Sequence, residues 1–233
     1  MSVLKFLSDI VFPPRCPCCG ELNENGLPCE NCAEKLADCV LKKPICKRCG
    51  NEKQRCGCGE FNPLFNGAAA AYFNASAARE GIYGLKFGKR SSSAVFFGEK
   101  MAQAFEESFP NITPDAVCIV PTLPRELRQK DYDYVHLLAK TVSRKLELKY
   151  KPKLLKKIKA TKRQHKLSQS ERAVNVKGAF KAAERLDGKC ILLVDDIKTT
   201  GYTLNECAKQ LRLAGADSVY CVTALISPNG SWK

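Results

Sequence analysis

The sequence predicts an α/β domain with a Rossmann-like, mainly parallel sheet, preceded by a small metal-held module. Three observations carry this. Ten of the 14 cysteines stand before residue 60. After residue 67, apolar strand-like runs alternate with helical periodicity, the pattern of α/β folds. The apolar run Ile191–Val194 then leads into Asp195 and Asp196 and a Thr/Gly turn. That places polar chemistry at the carboxyl end of a strand, where open α/β sheets bind ligands.

A chain of 233 residues has room for one large domain, or for one domain and a small module. No apolar run reaches the roughly 18 residues of a membrane span. In the opening MSVLKFLSDIVF, Val3, Leu4, Leu7, Ile10 and Val11 share one face of a short helix. Lys5 and Asp9 interrupt the stretch, and it lacks the basic start and small-residue cleavage site of a signal peptide. A cytoplasmic protein is expected. The formal net charge is +14. Residues 1–62 hold nine basic and eight acidic residues and residues 63–233 hold 29 and 16, so the second part carries +13 of that charge. Such a surface suits polyanions, either nucleic acid or a multiply phosphorylated small molecule.

The early cysteines come in pairs: Cys16 and Cys19, Cys29 and Cys32, Cys46 and Cys49, Cys56 and Cys58. A C-x2-C turn aims two sulfurs at one point. Gly20 and Gly50, each directly after a second cysteine, tolerate the left-handed backbone such a knuckle needs. Four thiolates suit tetrahedral Zn²⁺, and the absence of a secretion signal argues against disulfides. Taken in order, Cys16, Cys19, Cys29 and Cys32 hold one ion, and Cys46, Cys49, Cys56 and Cys58 the other; a crossed pairing stays open. Cys18 and Cys39 are left over. Two such sites lower the formal charge to about +10. About 60 residues can barely bury a core unaided, so the metal holds this module folded. The module spans residues 1–62, FNPLFNG forms the joint, and the second domain spans 67–233.

Within that domain, Ala68–Phe73 reads as a strand, and Ser76–Leu85 and Ala94–Phe105 as helices. Ala116–Val120 is a short strand ending at Pro121. A helix follows on Val135, Leu138, Ala139, Val142 and Leu146, with Asp133 as its N-cap. Leu154–Ile158 and Ala179–Phe180 are weaker strands. Ile191–Val194 is a strong strand, followed by a helix on Leu204, Cys207, Ala208 and Leu211 that stops at Gly215. Val219–Ile226 is the last strand.

After Asp195 and Asp196 come Lys198, Thr199, Thr200, Gly201, Tyr202 and Thr203, where the helix begins. The free amides of that turn and the helix dipole suit a monophosphate, and the threonines add hydroxyl donors. The two carboxylates suit neighbouring sugar hydroxyls or a hydrated Mg²⁺. An ordinary capped turn would account for Thr203 but not for paired acids after a fully apolar strand.

VDDIKTTGYT (194–203) resembles the phosphoribosyl-diphosphate motif of type I phosphoribosyltransferases. The cysteine module, YGLKFGKR (83–90), VPTLPRELRQKDYDYVHLLAK (120–140), RQHKLSQSERAVNVKGAF (163–180) and that motif follow in order. Together they resemble the ComF family, double zinc ribbon proteins with a type I phosphoribosyltransferase-like domain, linked to DNA uptake in natural competence. The resemblance covers about residues 10–227 and implies roles. Asp195 and Asp196 would hold the ribose hydroxyls, and Thr199, Thr200, Gly201, Tyr202 and Thr203 the 5-phosphate. Thr122 and nearby amides would meet the diphosphate, Lys86 would add positive charge there, and Mg²⁺ would accompany the ligand. Gln164, Arg172 and Asn175 match the family's residues in a mobile loop over 159–177.

Two departures from the family stand out. An Arg-Gly-Phe-Asn-Gln-like run is replaced by Lys130-Asp131-Tyr132-Asp133-Tyr134, which loses two amides. Purine-salvage relatives place a general-base aspartate where Thr199 stands; a threonine cannot act so at neutral pH, and purine salvage is not expected.

Between Lys151 and Lys166 there are eight basic residues and no acid: Lys151, Lys153, Lys156, Lys157, Lys159, Lys162, Arg163 and Lys166. They form either a charged, solvated edge or a track for DNA backbone phosphates. Tyr132, Tyr134 and Tyr150 could stack bases, but core or surface packing is the favoured reading. The reading is a ComF-like protein that binds phosphoribosyl diphosphate and handles single-stranded DNA in natural transformation. The alternatives are an active phosphoribosyltransferase with an unidentified nucleophile, and a zinc-ribbon adaptor for a DNA helicase or other competence protein with a vestigial site. No catalytic residue is assigned.

Overall fold

A computed structural model describes residues 13–23, 25–58, 62–88, 90–123, 133–161 and 169–227. The expected N-terminal helix over Val3–Val11 lies outside these residues, as do Tyr132 and the loop residues 162–168.

The N-terminal module contains two knuckles of matching design. Cys16 N–H bonds Glu21 O and Gly20 N–H bonds Cys16 O; Cys46 and Gly50 repeat both bonds, with Asn51 in the place of Glu21. Gly20 and Gly50 lie at φ of 86° and 78°, in the left-handed region glycine tolerates. One short helix, α1 (Glu30–Ala37), was not foreseen in this stretch; it follows Cys29 and buries Cys32 and Leu36.

The second part is built on a five-stranded parallel sheet of β1 (Gly67–Phe73), β2 (Ala116–Ile119), β3 (Lys149–Tyr150), β6 (Cys190–Lys198) and β7 (Ser218–Ile226). The order is β1-β7-β6-β2-β3. Strands β4 (Leu155–Lys157) and β5 (Phe180–Ala182) pair with each other, antiparallel and outside that sheet. The helices are α2 (Ser76–Phe87), α3 (Ser93–Ser108), α4 (Tyr134–Lys145), α5 (Gln169–Val176) and α6 (Tyr202–Leu213).

Alternation along β6 sorts the core into two layers. Leu192 and Val194 face Ile82, Phe97, Met101 and Leu138, so α2, α3 and α4 cover that side. Ile191 and Leu193 face Leu155, Phe180, Leu204 and Leu211, so α6 and the β4–β5 pair cover the other. Cys118, Cys207 and Cys221 are buried in this second layer, as small hydrophobes.

Three features of the second part differ from the sequence expectation, the two-residue β3 being one. Helix α5 occupies part of the segment expected as a loop. Strand β6 does not stop at Val194. It continues to Lys198 because β7 is as long and keeps pairing with it, Asp195 opposite Thr223, Ile197 opposite Leu225 and Lys198 opposite Ile226.

The module is not a loosely tethered unit. Cys16, Cys18, Cys32, Leu36 and Cys39 belong to the same buried cluster as Phe97 and Leu138. Edge strand β1 also receives main-chain partners from the module: Ala68 N–H bonds Lys47 O, and Phe73 N–H bonds Cys39 O. An edge strand covered this way presents fewer open hydrogen-bonding groups to other chains. The joint is tied down too: Phe65 is buried, Leu64 N–H bonds Asn205 Oδ1, and Asn66 bonds Val219 through both main chain and side chain.

Candidate functional site

The sheet order reverses between β2 and β6. From β2 the chain moves outward to β3, and from β6 it moves the opposite way to β7. A crevice at the carboxyl ends is expected at such a reversal. Two segments flank it: Pro121–Leu123 after β2, and Asp195–Thr203 at the end of β6. The first is held by Val120 N–H bonding Val194 O at 3.0 Å. Thr122 is half-buried there.

The turn after β6 leads directly into α6. Gly201 sits at φ 82° and caps α6, its carbonyl accepting from Asn205 N–H at 2.8 Å. Thr200 is buried, and Thr199, Tyr202 and Thr203 are half-buried around it. Helix α6 starts at Tyr202, four residues after β6 ends at Lys198, so its first turn lies near the carboxyl end of that strand, and helix N-terminal amides accommodate anions.

The two acids differ in environment. Asp196 is buried, and among the described residues three donors serve its carboxylate. Lys86 Nζ donates to Oδ2 at 3.0 Å, Tyr134 Oη–H donates to Oδ2 at 2.9 Å, and Ile197 N–H donates to Oδ1 at 2.8 Å. Burial pushes its pKa up, but the Lys86 charge and these hydrogen bonds outweigh burial and hold it below the usual carboxylate value. Asp195 is half-buried and accepts from Asp196 N–H at 2.9 Å. Burial, then the neighbouring Asp196 charge, raise its pKa well above the usual value. Lys86, in the last turn of α2, is pushed down by burial and more than restored by Asp196, so it remains a cation.

Tyr134 is buried in the core, as the packing reading expects, and its hydroxyl has a role that the sequence does not announce. It stands in the run where the resembled family carries an amide-bearing residue, and its hydroxyl bonds an acid 62 residues later in the chain. Glu206, too, has a role with no local signal in the sequence. It is buried, and its Oε1 accepts from Gly178 N–H and Gln210 Nε2, both at 3.1 Å, which ties the chain after α5 to α6.

Lys198 is placed differently from its companions. Its side chain is buried, and burial lowers its pKa against the opposing influence of Cys49, Cys221, Cys58 and Cys56. Its charge therefore sits close to the second cysteine cluster, while its main chain leads into the phosphate-type turn.

The two cysteine clusters take the sequential pairing. The sulfurs of Cys16, Cys19, Cys29 and Cys32, and those of Cys46, Cys49, Cys56 and Cys58, each lie within 4.8 Å of one another. Cys19 and Cys29 sulfurs are 3.8 Å apart, and Cys49 and Cys56 sulfurs 3.7 Å. A tetrahedron with zinc–sulfur arms of about 2.3 Å has an edge of about 3.8 Å, so the donor set fits Zn²⁺. Cys29 N–H also donates to Cys16 Sγ at 3.4 Å. Burial raises the Cys16 pKa, yet main-chain donors from Cys29, Cys19 and Cys18 outweigh it and bring it down to about 6, favouring the thiolate. Cys18, outside the donor set, is pushed by burial up to about 12 and stays a thiol. Cys39, the other cysteine left over, donates to Lys35 O and Ala75 O.

Of the remaining sequence candidates, Lys153, Lys156 and Lys159 are exposed and Lys157 is half-buried. Lys151 is ion-paired with Glu184 at 2.9 Å. Lys162, Arg163, Gln164 and Lys166 lie outside the described residues. Asn175 is half-buried on α5; Arg172 is on the same helix, its side chain not described. Tyr150 bonds His136 Nδ1 through its hydroxyl at 2.8 Å and is occupied in packing. No described helix is long and apolar enough to cross a membrane.

Residues 7–62 match the double zinc ribbon domain and residues 136–232 the phosphoribosyl transferase domain. The chain is 34% identical over 109 residues to Competence protein F of Haemophilus influenzae, covering 46% of this chain and 48% of that protein. It is 30% identical over 141 residues to the DNA utilization protein YhgH of Escherichia coli K12, covering 59% and 62%. The chain thus spans less than two thirds of the length of these relatives. Among solved structures, glutamine phosphoribosylpyrophosphate amidotransferase from B. subtilis is similar at 24% identity, over 55% of this chain and 25% of that one, with a TM-score of 0.37. The fold assignment rests on the domain matches and on the parallel sheet with its two cysteine clusters, not on that likeness.

Proposed function

We propose that this chain, a double zinc ribbon joined to a phosphoribosyltransferase domain and similar to proteins named for competence and DNA utilization, binds phosphoribosyl diphosphate with Mg²⁺ and handles single-stranded DNA in the cytoplasm during DNA uptake. In this reading the ribbon module ends near residue 62 and the ligand-binding domain begins near residue 67. A DNA-uptake helicase or another competence protein is its partner.

The observation that carries the reading is the pairing of Asp195 and Asp196 with the amide-lined turn at Gly201, on one strand end beside the sheet's reversal point. The turn takes the 5-phosphate through main-chain donors, and Thr199, Thr200 and Thr203 add hydroxyls. Asp195, the more exposed of the two acids, accepts from a ribose hydroxyl. Mg²⁺, when bound, neutralises the diphosphate charge. Thr199 offers no base of useful pKa, so nothing at the turn itself abstracts a proton from an incoming nucleophile. This favours binding over turnover. The +13 carried by residues 63–233 supplies the attraction for DNA backbone phosphates.

The experiment is a calorimetric titration of the full, zinc-loaded chain with phosphoribosyl diphosphate and Mg²⁺, with and without single-stranded DNA. Saturable uptake that vanishes in Asp195→Asn/Asp196→Asn supports the reading. Absence of heat in the wild-type chain, with the zinc intact, rejects it.

A further inference from the structure

Lys198 is the last residue of β6 and is 4% exposed. None of the ion pairs among the described residues includes it. A buried cation is costly unless an anion faces it. The groups that act on its charge are Cys49, Cys221, Cys58 and Cys56, three of them from the second zinc donor set. The influence is mutual, since Lys198 favours the thiolate of Cys49. Strand pairing explains the approach. Arg55, one residue before Cys56, lies 4.8 Å over the ring of Phe73, the last residue of β1. Phe73 pairs with Ile226 of β7, and Ile226 pairs with Lys198. The second knuckle is also pressed on β1 at Gly50, where an added Cβ would stand 3.0 Å from Ala68 O.

We propose that Lys198 is the buried counter-cation of the second zinc site, and that occupancy of that site holds the start of the Gly201 turn in place. With zinc bound, four thiolates around one Zn²⁺ leave a dianion, and the ammonium balances part of it from outside the donor set. With zinc lost, that fixed dianion is gone and the ammonium is left buried beside thiols. It regains water when the end of β6 parts from β7, which loosens residues 199–203. The bond from Ser227 N–H to Lys198 O, 2.9 Å long, is the main-chain contact that must open. Lys198 is in this scheme a positioning residue, tying the ribbon module to the turn through the strand end.

Two measurements on the full chain test this. Zinc affinity is read by competition with a chelating dye. Lys198→Met, unbranched and uncharged, should weaken one of the two ions by about 10-fold or more and leave the other unchanged, the scale of removing an outer partner of a metal site. Lys198→Arg keeps the charge and should stay near wild type. Hydrogen exchange over residues 199–205 is read by mass spectrometry. Cys56→Ser/Cys58→Ser removes half of the second donor set and should speed exchange there by about 10-fold or more, as an uncompensated buried charge opens the strand end. Adding Lys198→Met to that double variant should slow exchange again, whereas a lysine that only filled space would leave it as fast or faster. Wild-type zinc affinity in Lys198→Met overturns the proposal. So does unaltered exchange in Cys56→Ser/Cys58→Ser, a result that decides the matter even should Lys198→Met not fold. Neither readout uses a phosphorylated sugar, so failure here leaves the ligand reading of the turn standing.

Discussion

The Arg90 guanidinium donates to the main-chain carbonyl of Cys18 at 2.7 Å, and through its other nitrogen to Glu80 O at 3.1 Å. It thereby bolts the first zinc knuckle to α2. The bolt passes directly over Gly84, where an added Cβ would lie 1.6 Å from Nη2. Gly84 is therefore a space requirement in the middle of a helix.

Gly84→Ala should displace that guanidinium, and Arg90→Ala should leave two carbonyls short of a donor. Each variant is expected to lose about 1–3 kcal/mol, which for a chain of this size lowers Tm by about 2–4 °C per kcal/mol. Thermal denaturation followed by circular dichroism reads the loss. Unchanged melting in both variants would show the contact to be incidental.

Zinc stripping should reach further than the ribbon. Because Cys16, Cys32 and Leu36 share a buried cluster with Phe97 and Leu138, unfolding of the first knuckle opens the α/β core. A chelator should release two zinc ions per chain, measured with a metallochromic dye, and lower the main thermal transition rather than remove a separate one. Cys16→Ser should cost one ion. Cys18→Ser, buried but outside the donor set, should keep both.

The twin acids predict opposite pH effects on stability. The folded pKa of Asp195 is raised, so its ionisation opposes folding: the penalty is absent below about pH 4 and grows as pH rises through the folded value. Asp195→Asn should therefore melt higher than wild type near neutrality, by about 2–4 °C for about 1 kcal/mol, with the gap closing toward pH 4. Asp196 is depressed, so its stabilisation is complete above about pH 4 and lost as pH falls through its lower folded value. Asp196→Asn should melt lower than wild type at neutrality and converge with it in acid. Melting curves from pH 3 to 8 check both signs.

If the exposed lysines track DNA, the triple variant Lys153→Gln/Lys156→Gln/Lys159→Gln should flatten the dependence of log affinity on log salt by about 2, given about 0.7 per neutralised phosphate on a single strand. Lys151→Gln should change it little, because that ammonium is engaged by Glu184. Fluorescence anisotropy with a labelled oligonucleotide over a salt series measures the slope. A slope unaltered in the triple variant would move the DNA contact elsewhere on the basic domain.

Much of the architecture was readable because its causes are local. A knuckle's turn is closed within a few residues, so spacing and the two following glycines announced both zinc ligand sets, leaving only their pairing to be decided. Asp133 was readable as a cap because its Oδ1 reaches His136 N–H three residues on. The core strands β1, β2, β6 and β7 declared themselves through continuous apolar runs. The unforeseen parts depend on distant neighbours. The continuation of β6 past Val194 is set by the length of β7, and the two-residue β3 exists only because β2 offers it partners at Ala116 and Val117.

From its residues alone, this chain was committed to a metal-bound module, a parallel sheet and a pair of acids at a phosphate-type turn. Those commitments follow from backbone geometry and from the period of apolar side chains. What only the folded chain decided is how the pair is divided: Asp196 enclosed by Lys86 and Tyr134, Asp195 left partly open. The lysine stands 110 residues away from Asp196 and the tyrosine 62, and no local rule ties a charge to a partner at that separation. Packing α2 and α4 on one face of β6 brings three polar groups into a space from which water is largely excluded, and there each must satisfy the others.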